Sequence, residues 1–172
     1  AANVAAQCNN AGQGCLAGTR ILGEASVDAD FRARGLKAAQ PYAVGDPRQK
    51  GVRVGPLIHP RQLERVSGFV SRALEAGAKP LLGGGPHALG GLYYQPTILT
   101  DVQPDAEIIR NEVFGPVLTW QTFEREADAY AVVESPPRSL SARPATGGTE
   151  TRALLLRSAA AGLQPSDPQQ PE

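Results

Sequence analysis

The chain has 172 residues with 17 basic against 17 acidic side chains, a balance that gives no electrostatic footing for nucleic acid or an anionic membrane. Its hydrophobic share of 41% suffices for one core, and no run of about 18 apolar residues is present to span a membrane. These totals suggest one domain, or one domain with a tail.

The opening "AANVAAQCNN" has neither a basic region nor a long apolar stretch, so it does not read as a signal peptide. It reads as helical to about residue 9, ending in the glycine-rich turn before Cys15. With no Met anywhere, the expectation is a piece of something longer. "TRILGEA" predicts a short strand carrying Ile21 and Leu22. A helix follows, with Asp28 as candidate N-cap and a stop by Pro41. "GDPRQKGVRVGPLI" reads as a loop dense in Gly and Pro.

The clearest helix is "PRQLERVSGFVSRALEAGAKP". Leu63, Val66, Phe69, Val70, Ala73 and Leu74 recur at three- and four-residue steps and make one apolar face. Gly77 is placed to end it in the left-handed conformation. "PLLGGG" predicts a short buried strand, "GLYYQPTILTDV" extended structure interrupted at Pro96, and Val117 to Phe123 a strand rich in β-branched and aromatic residues. "EREADAYAVVE" reads as a helix. Strands alternating with helices predict an α/β domain with a largely parallel sheet.

Beyond Glu134 the chain becomes rich in Pro, Ser, Arg and Ala. The domain is therefore expected over 1–134, with a divergent or partly disordered tail over 135–172. Only "TRALLLRSAAAGLQ" has helical character there, and the last ten residues read as disordered.

The two cysteines, Cys8 and Cys15, are too few for a disulfide framework and lack zinc-site spacing. His59 and His87 sit in Pro-flanked, turn-like contexts and read as surface residues. No metal site is expected. Cys15 lies in "NNAGQGCLAGTR", surroundings too small and flexible for a core position. From the residues alone, a nucleophile, a redox thiol and filler all remain open.

"NAGQGC" resembles the nucleophile segment of the aldehyde dehydrogenase superfamily, Asn-x-Gly-Gln-x-Cys, here Asn10, Gly12, Gln13 and Cys15. "NEVFGPV" resembles the family's Glu-x-Phe-Gly-Pro element, here Glu112, Phe114, Gly115 and Pro116. Between them "VGDP", "GPLI", "GAKPLLGG" and "YYQPTIL" follow in the family's order. The resemblance covers residues 3–134 and implies the catalytic domain of an NAD- or NADP-dependent enzyme that oxidises an aldehyde to a carboxylic acid.

In that chemistry a thiolate adds to the aldehyde, hydride leaves to the nicotinamide, and water hydrolyses the resulting thioester. The resemblance makes Cys15 the nucleophile, its backbone N–H an oxyanion donor, and Gly14 and Leu16 part of the aldehyde tunnel. Glu112 is expected to hold the nicotinamide-ribose hydroxyls, Phe114 to pack beside that ribose, and Gln62 to touch the cofactor. Cys8, where the family usually carries an aromatic, reads as a small buried thiol. A reversible disulfide with Cys15 is the sharper alternative.

The family's upstream dinucleotide-binding domain, oxyanion asparagine and base glutamate have no counterpart here. An isolated chain of this extent is thus expected to be inactive and to self-associate, although family members are homo-oligomers; a cytoplasmic location is implied. The alternative is a non-catalytic remnant or interaction module. In the tail, Leu140, Ser141 and Ala142 keep family-like positions, but Arg138 and Ser139 replace a Tyr-Gly pair, which suggests a frameshift after about residue 137.

Overall fold

The β-branched and aromatic run Val117–Phe123 forms a strand, as its composition predicts, and lies inside the sheet. The computed structural model of the chain describes residues 7–15, 17–40 and 42–134. Its strands are β1 (Arg20–Glu24), β2 (Ala43–Val44), β3 (Val52–Val54), β4 (Lys79–Leu82), β5 (Thr97–Thr100) and β6 (Val117–Phe123). Its helices are α1 (Asp28–Ala39), α2 (Pro60–Glu75), α3 (Glu107–Arg110) and α4 (Glu126–Glu134). The expectations for residues 1–6, Leu16, Pro41 and the tail from 135 onward lie outside the described residues.

Among the described residues the main sheet runs β1-β6-β5-β4. β6 is parallel to both neighbours, with Ile21 opposite Trp120 and Ile98 opposite Leu118. Every residue of β5 is buried, as is Val117 through Trp120. Burial on alternate residues alone would cover one face; continuous burial means both faces are covered, as parallel strands require. The fold is mixed α/β with a parallel-dominated sheet.

The expected buried strand "PLLGGG" differs. β4 begins at Lys79, pairs antiparallel to β5, and is exposed or half-exposed throughout. Pro80 has no N–H to give, so it suits an edge position better than an interior one. The loop expected over 45–58 contains β3, which pairs in parallel with β2 just ahead of that loop. The short helix α3 was likewise not expected.

Helix α2 behaves as its periodicity predicts, burying Val66, Phe69, Val70 and Ala73. Pro60 opens it, where the missing N–H costs nothing. His59, read as a plain surface residue, is exposed but caps the helix: its Nδ1 accepts from Arg61 N–H at 3.1 Å. Gly77 closes it at φ 99. Ala78 N–H donates to Ala73 O and Gly77 N–H to Leu74 O, each at 3.0 Å, which satisfies two otherwise orphaned carbonyls.

Asp28 is not the N-cap of α1; Val27 holds that position and makes no side-chain cap. Asp28 is the first helical residue, and its carboxylate serves tertiary structure instead. Its Oδ1 accepts from Trp120 Nε1 at 2.7 Å, and its Oδ2 pairs with Arg32 at 2.6 Å. Phe31 leans on the Trp120 ring with centroids 5.0 Å apart. A Cβ on Gly35 would sit 3.1 Å from that ring, so the absent side chain lets α1 lie close to β6.

Candidate active site

Two loops form the site, and each is held in a conformation that side chains seldom adopt. The first is the turn Asn9–Gly12 ahead of Cys15. Asn10, Ala11 and Gly12 have φ of 50, 52 and 71, all in the left-handed region. Asn tolerates that region and Gly is free in it, but for Ala it costs about 1–2 kcal/mol. The surrounding bonds hold it there. Asn10 Nδ2 donates to Gln13 O at 2.9 Å, and Gln13 Nε2 donates back to Asn10 O at 3.1 Å. Gln13 Oε1 accepts from Ile58 N–H at 2.9 Å, tying the turn to the approach of α2.

The second loop runs from Asn111 to Pro116, between α3 and β6. Phe114 has φ 59, again left-handed. Gln62 on α2 donates through Nε2 to Val113 O at 3.1 Å and Phe114 O at 2.7 Å. One turn along the same helix, Arg65 Nη2 donates to Glu112 O at 2.7 Å. Pro116 O accepts from Thr97 N–H at 2.8 Å, which merges the loop into the sheet.

The two loops meet at Gly12 and Gly115. A Cβ on Gly12 would collide with the Gly115 carbonyl, and one on Gly115 would press into Val66. Gln7, fully buried, donates through Nε2 to Gly115 O at 2.7 Å. Motifs a hundred residues apart thus share one backbone contact.

The candidate side chains differ in exposure at this junction. Cys15 and Glu112 are exposed, and Phe114 and Gln62 are half-buried. A Cβ on Gly14 would meet nothing within 4 Å, so there is open space next to Cys15. Cys8 is the opposite case. It is 2% exposed, and burial pushes its thiol up to about 11, so it is held as the neutral form. Both thiols are free. Among the described residues no three or more His, Cys, Asp or Glu side chains gather in a metal-binding group.

Gln7, Arg65 and the Gln13–Ile58 bond were not anticipated. Gln7 carried no signal of its own among the neighbouring amides Asn3, Asn9 and Asn10. Arg65 had none, because a charged residue on the polar face of a helix reads as solvated.

Residues 1–162 match the model of the aldehyde dehydrogenase family. The chain is 37% identical over 174 residues to the probable succinate-semialdehyde dehydrogenase (NADP(+)) of Synechocystis, covering 98% of this chain and 38% of that protein. It is 35% identical over 153 residues to an aldehyde dehydrogenase of Emericella nidulans, covering 89% of this chain and 31% of that one. Its fold matches the crystal structure of lactaldehyde dehydrogenase from Escherichia coli with a TM-score of 0.86 at 31% identity, over 92% of this chain and 33% of that one. The NAD-dependent aldehyde dehydrogenase from Sinorhizobium meliloti gives 0.85 at 33% identity, over 91% and 31%. The chain spans about a third of the length of the curated relatives it matches. With a family model matching most of its length and solved members sharing its fold, the chain belongs to the aldehyde dehydrogenase family.

Proposed function

We propose that the chain carries the nucleophile and part of the nicotinamide-nucleotide grip of an aldehyde dehydrogenase. Cys15 attacks the aldehyde, and Glu112 and Phe114 hold the nicotinamide ribose of NAD or NADP. The supporting observation is the junction of the two loops. It sets an exposed thiol three residues after Gly12 and an exposed carboxylate three residues before Gly115, on either side of one glycine–glycine contact.

The residues fit a nicotinamide nucleotide in kind. Two carboxylate oxygens on Glu112 suit a vicinal diol, and the Phe114 ring offers a flat apolar neighbour. The carbonyls of Glu112 through Gly115 are all held by side-chain donors, so the loop is set before a ligand arrives. A bound nicotinamide supplies the hydride acceptor.

Cys15 does the covalent work. Its thiolate adds to the carbonyl carbon, forming a C–S bond while the π pair moves to oxygen. The Cys15 backbone N–H donates to that oxygen as charge develops. After oxidation, water attacks the thioester, the C–S bond breaks, and the thiol returns with release of a carboxylic acid. Cys8 cannot substitute, since it is sealed and its thiolate is disfavoured. Relatives are named for succinate semialdehyde, 4-trimethylaminobutyraldehyde and betaine aldehyde, so the substrate is proposed only as an aldehyde.

Peptide-mapped alkylation near neutral pH tests this reading. Iodoacetamide is expected to label Cys15 and spare Cys8, with an added aldehyde slowing the labelling of Cys15. Labelling of Cys8 first, or of Cys15 at a rate indifferent to aldehyde, would overturn it.

A further inference from the structure

We propose that Gln62 and Arg65 are positioning residues, which fix the backbone of Glu112 through Phe114 so that the carboxylate and the ring face one ligand. This inference rests on the reading of Glu112 and Phe114 given above. It assigns to α2 a role beyond core packing, and it gives Gln62 a part in holding the loop that carries Glu112 and Phe114.

The geometry carries the argument. Gln62 and Arg65 lie three apart on α2, so they stand on one side of the helix, a turn from each other. From there they reach three successive carbonyls: Glu112 O, Val113 O and Phe114 O, at 2.7, 3.1 and 2.7 Å. Three consecutive acceptors turned toward one helix need an unusual backbone, and Phe114 supplies it at φ 59. An aromatic residue there is strained, and the strain persists only where the surroundings outweigh it. The carbonyl bonds are what outweigh it.

Arg65 is itself anchored. Its guanidinium lies 4.9 Å from the centroid of the Phe69 ring, and Phe69 is a buried core residue of the same helix. The donors are therefore tied to the core through α2, which has a buried face and capped ends. The other side of the loop is fixed by Gln7 on Gly115 O. Glu112 and Phe114 hang between two fixed walls.

The test uses the full chain in four variants: Gln62→Leu and Arg65→Met, which remove donors, Arg65→Lys, which keeps one, and Glu112→Gln. Backbone chemical shifts of Phe114 report its φ, and nicotinamide mononucleotide is titrated against the signals of residues 112–115. Gln62→Leu and Arg65→Met are expected to move the Phe114 shifts toward averaged values and to weaken the nucleotide about tenfold, the effect of losing one or two hydrogen bonds. Arg65→Lys is expected to restore the wild-type pattern, which a loss of general stability would not explain. Phe114 shifts unchanged in both donor-removing variants would overturn the inference, whatever the nucleotide does. A wild-type chain and a Glu112→Gln chain that respond to the nucleotide alike would instead overturn the ribose reading, while the Phe114 shifts still decide the brace.

Discussion

The amide of Gln7 donates to the carbonyl of Gly115 at 2.7 Å across 108 residues of sequence, and it does so with no solvent exposure. That bond joins the loop of the candidate nucleophile to the loop of the candidate cofactor carboxylate. Replacing Gln7 by Leu removes the donor and leaves the Gly115 carbonyl bonded to Val117 N–H. A loss of about 1–2 kcal/mol in urea unfolding is expected. Gln7→Glu should cost more, because a buried carboxylate would face a carbonyl oxygen. A Glu variant as stable as the Leu variant would contradict the bond.

Two glycines in the same motif should behave oppositely. Gly12→Ala combines a left-handed φ of 71 with a collision against the Gly115 carbonyl. It should cost more than about 3 kcal/mol, or prevent folding. Gly14→Ala meets nothing within 4 Å and should change stability by less than about 1 kcal/mol. Thermal melts of the pair decide the matter, and equal losses would refute close contact between the loops.

The Asp28 carboxylate gives a further contrast. Asp28→Ala leaves the Trp120 indole N–H without its acceptor and takes from Arg32 its carboxylate partner, which should cost about 1–3 kcal/mol. Asp28→Asn retains an acceptor for the indole and should recover part of that loss. Trp120 is the chain's single tryptophan, so its fluorescence reports the change directly.

Alkaline pH should weaken the fold through Cys8. Burial raises its thiol from 9.0 to about 11, so the folded state favours the neutral form. That contribution is complete below about 9 and is lost as pH rises through about 11, as the unfolded chain gains thiolate first. The total is about 2–3 kcal/mol. Tyr94, pushed up to about 12 by burial, acts in the same direction at higher pH. Cys8→Ala should therefore flatten the decline in urea stability between pH of about 9 and about 11. An unchanged slope would refute the assignment.

How much of this could be read from sequence depended on the physical reach of each signal. Helix α2 was legible because its apolar steps, opening proline and closing glycine all agree. β6 was legible because five of its seven residues are β-branched or aromatic. The family resemblance was legible because two motifs occur in the right order. β4 was misjudged because "PLLGGG" is apolar whether it lies inside or at an edge; only pairing distinguishes the two. Asp28 was misassigned because a helix-start carboxylate suits a cap, while its partners, Arg32 and Trp120, draw it into tertiary contacts. Gln7 and Arg65 were invisible because their partners are backbone carbonyls far along the chain, and a carbonyl carries no sequence signal.

The account depends on one proposition, that the Cys15 loop and the Glu112 loop serve one ligand-binding site. The most direct measurement is the alkylation rate of Cys15 with and without nicotinamide mononucleotide, in the wild-type chain and in Glu112→Gln. The account predicts that the nucleotide changes the rate in the wild type and that Glu112→Gln abolishes the change. A rate untouched by the nucleotide, or a change that survives loss of the carboxylate, would contradict it.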